Sequence, residues 1–143
     1  MNKQEYISQS EKETEQIASR FALSLNNGDF VALYGDLGAG KTAFVRGIAS
    51  VKVPDEYVCS PTYAIVNEYS SSEVRLCHFD MYRITSEEDL YSIGFYDYTD
   101  CIIVCEWCEN IEYALPDSYY KVTIEKTKDT NMRKITIEEV CAQ

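Results

Sequence analysis

Phe30-Val31-Ala32-Leu33-Tyr34 runs straight into Gly35-Asp36-Leu37-Gly38-Ala39-Gly40-Lys41-Thr42. The first five residues are continuously apolar and lie between Gly28 and Gly35, which predicts a short buried strand. The next eight match G-x-x-x-x-G-K-S/T at every fixed position. From Thr42 onward, Phe44, Val45 and Ile48 recur on one side of a helix predicted over 42–51. Glycine lets the backbone turn tightly and bring its N–H groups against phosphate oxygens. Those donors lead into a helix N-terminus, whose unpaired N–H groups and dipole favour an anion. The loop from Gly35 through Asp36, Leu37, Gly38, Ala39 and Gly40 is therefore the expected cradle. Lys41 reaches the β- and γ-phosphates, and the Thr42 hydroxyl ligates Mg²⁺.

A cradle alone does not hydrolyse a nucleotide; a carboxylate near the metal and a means of placing water are also needed. The apolar run 101–105 ends in Glu106, where an acid either holds Mg²⁺ through water or orients the attacking water. A solvated strand-end acid is the plainer alternative. Asp80 ends the other apolar run, 74–79, and either reaches the same crevice or caps a loop. Thr62, in a loop stiffened by Pro61, can meet the metal or the γ-phosphate as a switch threonine does. Trp107 follows Glu106 directly and either stacks on the base, covers the site, faces a partner or simply packs. His78, the only histidine, reads as a packed strand residue.

Working outward, Ser10-Glu11-Lys12-Glu13 is a capping-box pattern, and a helix is predicted over 11–26. Strands are predicted over 63–69 and 74–79 about a Ser70-Ser71-Ser72 turn, and over 101–105. Ser86-Glu87-Glu88-Asp89 opens a further helix that Gly94 stops. Strands over 119–125 and 132–138, joined by a polar turn, form a C-terminal β-hairpin. The fold class is α/β: one P-loop nucleotide-binding domain spanning 1–143, a mixed central sheet with flanking helices.

At 143 residues the chain can bury about two-thirds of its unfolded surface, enough for a core without staples. Its net charge of −11, from 24 acids against 13 bases, argues against gripping nucleic acid over a broad surface. Of the six cysteines, Cys105-x-x-Cys108 is a weak metal or redox signal; a zinc site would want a second pair or histidines, and packed thiols are the expectation. The first residues lack the apolar segment of a signal peptide, and no run approaches a membrane span. The expected setting is cytoplasmic and reducing.

Taken together, GDLGAGKT (35–42), SPTY (60–63), HFDMYR (78–83) and EW (106–107) resemble the TsaE (YjeE) family. The likeness spans 35–107 by motif, and the flanking helix and hairpin fit the family's layout. Tyr63 departs conservatively from the phenylalanine often found there, and the C-terminal segment carries no matching motif. The resemblance implies a Mg²⁺-dependent ATPase, slow alone, serving threonylcarbamoyladenosine formation at position 37 of tRNAs reading ANN codons. It implies TsaD and TsaB as partners, with tRNA met indirectly through them. By position it assigns Lys41 and Thr42 to phosphate and metal, Thr62 to a switch-like loop, Asp80 and Glu106 to the site carboxylates, and Trp107 to the nucleotide's side. The preference for ATP rests on the resemblance, since no base-reading motif is visible. A small-molecule kinase and a non-hydrolysing nucleotide sensor remain as alternatives. The kinase is disfavoured because the five arginines (20, 46, 75, 83 and 133) are scattered along the chain.

Overall fold

The computed structural model describes residues 3–36, 38–61 and 65–141. Seven strands form one mixed sheet: β1 (Lys3–Ser8), β2 (Phe30–Gly35), β3 (Val66–Ser70), β4 (Arg75–Asp80), β5 (Ile102–Glu106), β6 (Ser118–Lys126) and β7 (Arg133–Cys141). Their order across the sheet is β1-β7-β6-β2-β5-β4-β3. The four inner strands β6, β2, β5 and β4 run parallel, and the outer ones pair antiparallel. The carboxyl ends of β2, β4 and β5 therefore meet at one edge, where open α/β sheets take their ligands.

Helices α1 (Glu11–Ala22) and α2 (Lys41–Lys52) cover one face, and α3 (Glu87–Ser92) with short 3₁₀ turns covers the other. Alternation along each strand sorts the core accordingly. Val31, Leu33, Leu76 and Val104 pack under α1 and α2 with Phe44 and Ile48. Phe30, Ala32, Phe79 and Ile103 face Leu90 and Phe95 on the opposite side. The two long helices approach closely at Gly47: a Cβ there would stand 2.3 Å from the Glu15 carbonyl oxygen. Only glycine fits this contact, and α2 is held where its N-terminus meets the end of β2.

Most predicted elements are present within a few residues, with three corrections. Helix α1 ends at Ala22 rather than at 26. Leu23, Ser24 and Leu25 continue as tight turns, their N–H groups donating to the carbonyls three residues back. Leu25 is fully buried in that turn, which extended the helical periodicity past the helix. The N-terminal residues form β1, an edge strand against β7 that no apolar alternation announced. A 3₁₀ segment, Cys108–Ala114, follows β5 and was not foreseen. Cys105 and Cys108 are fully buried, and the Cys108 thiol donates to the Cys105 carbonyl at 3.2 Å. Burial, and then the neighbouring Cys108, push the Cys105 thiol well above its ordinary range, so it stays protonated.

Candidate nucleotide site

The phosphate loop sits where the sequence places it, between β2 and α2. Gly35 ends the strand against β6, where a Cβ would lie 2.8 Å from the Ile124 carbonyl oxygen. Gly38 and Gly40 adopt φ of +78° and +106°, left-handed backbone that glycine enters at little cost. The Ala39 N–H donates to the Asp36 carbonyl at 3.0 Å, closing a turn within the loop. Gly40 caps α2 without a side-chain hydrogen bond, and no acid lies in the first turn. The helix end therefore keeps its N–H donors for an external anion. Leu37 lies outside the described residues.

The acid wall is built on β4 and β5. Their register pairs Asp80 with Glu106 and His78 with Val104. His78, Asp80 and Glu106 thereby share the face on which Leu76 and Val104 pack under α2. Glu106 is 7% exposed and holds a ligand at each oxygen. Lys41 Nζ lies 3.4 Å from Oε1, and His78 Nε2 lies 2.5 Å from Oε2. A carboxylate oxygen can only accept, so the imidazole proton resides on Nε2. Burial alone would raise the Glu106 carboxyl, but the His78 hydrogen bond and charge, followed by Lys41, hold it below the ordinary range. His78 is fully buried, and its Nδ1 has no hydrogen-bond partner among the described residues.

His78 is thus a candidate site residue that the sequence alone reads as a packed or strand-face histidine. Its partner lies 28 residues away. The available signal was strand parity, which places His78 two residues from Asp80 on one face. Asp80 itself is half-buried and turns back on its own loop, its Oδ1 accepting from the Tyr82 N–H at 2.9 Å.

Trp107 leaves the strand in left-handed backbone, φ 61°, which swings its ring over the site. The ring stands edge-on to Tyr82 at 4.9 Å between centroids, and Lys41 Nζ lies 5.7 Å from its centre. It is 38% exposed, so it is not a core aromatic.

These groups border two depressions. A cleft of about 1040 Å³ is lined by Lys41, Thr42, Asp80, Glu106, Trp107 and the Ser60–Pro61 loop. A smaller one of about 460 Å³ lies toward β6, bounded by Tyr34, Lys41, Trp107, Glu109 and Lys126. Of the expected site residues, Leu37 and Thr62 lie outside the described residues, while Gly35, Asp36, Gly38, Gly40, Lys41, Thr42, Asp80, Glu106 and Trp107 line these depressions. The arginines are less dispersed than their sequence positions suggested. Arg46 and Arg83 line the larger cleft, and Arg133 reaches the loop's carbonyls, which corrects the expectation of scattered cations. Among the described residues no three of His, Cys, Asp and Glu gather in a metal-binding group. A Mg²⁺ held in part by phosphates and water requires fewer protein ligands than that. The hydroxyl of Thr42 and the carboxylates of Asp80 and Glu106, all hard oxygen donors on one cleft, fit such an ion.

Comparison with known proteins supplies a family. A model described as "Threonylcarbamoyl adenosine biosynthesis protein TsaE" matches residues 8–135. A Rickettsia typhi protein described as "tRNA threonylcarbamoyladenosine biosynthesis protein TsaE" is 38% identical over 132 residues, 91% of each chain. A Bacillus subtilis protein of the same description is 35% identical over 129 residues, covering 90% of this chain and 81% of that one. Among solved structures, the crystal structure of Bacillus subtilis YdiB superposes with a TM-score of 0.80 at 28% identity, covering 99% of this chain and 87% of that one.

Proposed function

This chain belongs to the TsaE family of tRNA threonylcarbamoyladenosine biosynthesis factors, and on that premise we propose that it is a Mg²⁺-dependent ATPase. It works in the cytoplasm as an accessory to TsaD and TsaB, on tRNAs reading ANN codons. The observation that carries this reading is the chain of contacts Lys41–Glu106–His78 at the mouth of the glycine loop. It brings a phosphate-binding cation and a buried, ionised carboxylate to one point. No helix among the described residues is long and apolar enough to cross a membrane.

Triphosphate enters along the loop, where the α2 N-terminus and the backbone N–H groups receive its oxygens. Lys41 exchanges its internal counter-ion, Glu106 Oε1, for the β- and γ-phosphates. That exchange leaves Glu106 anchored on His78 alone, with Oε1 free to accept from a water molecule. In the nucleotide-free chain, against burial, the His78 hydrogen bond is the leading influence holding this carboxyl below its ordinary range, and that bond remains to keep it ready to orient the water. Water attacks the γ-phosphorus, its surplus proton passing by way of Glu106 to solvent; the bond to the bridging β–γ oxygen breaks with its electron pair leaving on ADP, and inorganic phosphate results. Thr42 and Asp80 would help hold Mg²⁺, which would supply neutralisation of the phosphate charge. Trp107 and Tyr82 shield the site from bulk water. The acidic surface of the chain fits a factor that leaves tRNA binding to its partners.

Phosphoryl transfer to a small molecule draws support from one observation, the presence of Arg46 and Arg83 on the same cleft. The fate of a labelled γ-phosphate decides between the two. Label released as free phosphate, with Mg²⁺ required, supports hydrolysis. Label retained on an acceptor, or no consumption of ATP at all, contradicts it.

A further inference from the structure

Arg133 opens β7, at the end of the C-terminal hairpin, and pairs across it with Lys126. Among the described residues its guanidinium donates to four backbone carbonyls and pairs with no acid. Nε donates to the Ala39 carbonyl at 3.0 Å, and Nη2 to the Gly38 carbonyl at 3.3 Å. Nη1 donates to Thr130 and Met132, at 2.8 and 3.0 Å, tying the same group to the hairpin turn. One planar cation therefore bridges the hairpin and the phosphate loop across more than ninety residues of sequence.

The two loop carbonyls belong to the peptide units joining Gly38 to Ala39 and Ala39 to Gly40. A trans peptide carries its C=O and N–H on opposite edges, so holding one fixes the other. The Ala39 N–H is taken by the Asp36 carbonyl. The Gly40 N–H is kept on the edge away from the guanidinium, as a donor. Gly38 and Gly40 flank these units in left-handed backbone, where no Cβ restrains rotation. Without a restraint either peptide can turn its carbonyl inward, and a carbonyl oxygen facing a phosphate repels it. A guanidinium fork fixes two adjacent carbonyls at once, which the single ammonium of a lysine does not. Its positive charge, with Lys126 Nζ beside Gly38, also favours an anion at the loop.

We infer that Arg133 is a positioning residue for the phosphate loop, holding the Gly38 and Ala39 carbonyls outward so that the Gly40 N–H stays available as a donor, and that the C-terminal hairpin is in this way part of the nucleotide site. This rests on the reading of the loop as an ATP site. The hairpin, to which no motif gave a role, supplies the restraint that the glycines lack.

The test compares wild type with Arg133→Ala, Arg133→Lys and Thr127→Val by calorimetric titration with Mg·ATP and by amide hydrogen exchange of the nucleotide-free chain. Thr127 Oγ1 bonds Asp129 and Met132 in the same turn, so Thr127→Val loosens the hairpin turn, including the Met132 carbonyl it shares with Arg133, while leaving the guanidinium's bonds to the Gly38 and Ala39 carbonyls in place. Arg133→Ala should weaken ATP binding about tenfold, since hydrogen bonds from a charged donor are lost, and should speed exchange at 38–41. Arg133→Lys should fall between, and Thr127→Val should stay within about twofold of wild type. Wild-type binding with Arg133→Ala unchanged, or weakened no more than Thr127→Val, overturns the inference. A wild-type chain that takes up no ATP overturns the nucleotide reading itself, and this inference with it.

Discussion

The cleft has two walls held by opposite means. The phosphate loop presents backbone donors and a helix end, and its geometry comes from glycines restrained from behind by Arg133. The acid wall presents side chains carried on two adjacent parallel strands, and its geometry comes from strand register and one buried histidine. Lys41, on the loop wall, reaches across to Glu106 on the acid wall. In the nucleotide-free structure its partner is the acid wall, so the resting site neutralises itself. On the proposed reading, binding and turnover are separable: the loop wall would govern the first and the acid wall the second.

The sharpest test of that division is Lys41→Ala. It removes the bridging charge and should lower kcat/KM by about 10³-fold while also weakening ATP binding. Glu106→Gln should lower kcat by about 10²-fold and leave ATP affinity equal or higher, because Lys41 is released from its internal counter-ion. A Glu106→Gln variant that loses affinity as Lys41→Ala does would erase the distinction between the walls. Steady-state kinetics paired with direct titration reads both quantities.

A smaller effect is expected behind the acid wall. His78→Leu should lower kcat about tenfold without altering ATP affinity, because Glu106 loses the hydrogen bond that orients it. His78→Gln, which keeps an N–H donor, should recover part of the loss. Equal impairment by both variants would mean that the histidine only fills space.

The smallest effect is in stability. The Glu106 carboxyl is lowered in the folded chain, so its contribution is present above the ordinary glutamate value and disappears as pH falls through the lowered one. The melting temperature of wild type should exceed that of Glu106→Gln at neutral pH, and the gap should close in acid below the ordinary glutamate value. A gap that widens toward low pH would contradict the assigned ionisation.

The same contrast explains what was legible in the sequence. The loop is local: eight consecutive residues with a strand before and a helix after, each readable from spacing. Glu106 and Asp80 were visible because each ends an apolar run. His78 and Arg133 were not, because what matters about each is a partner that only strand pairing brings near. Strand β1 was hidden for a related reason. Lys3-Gln4-Glu5 lies exposed on a sheet edge, so burial left no alternation to read. Helix α1 was overread because Leu25 is buried by a turn rather than by helical phase. Thr62, named on the strength of its loop and the family resemblance, lies outside the described residues.

The central claim is that this TsaE-family chain hydrolyses ATP at the Lys41–Glu106 site in support of a tRNA-modifying complex. It is tested most directly by measuring phosphate release from Mg·ATP with and without a TsaB–TsaD pair and tRNA, for wild type and Glu106→Gln. Slow release by the wild type alone, a marked rise with the partners, and loss of that rise in Glu106→Gln are the expected results. Release that is absent under both conditions, or unaltered in Glu106→Gln, would contradict it.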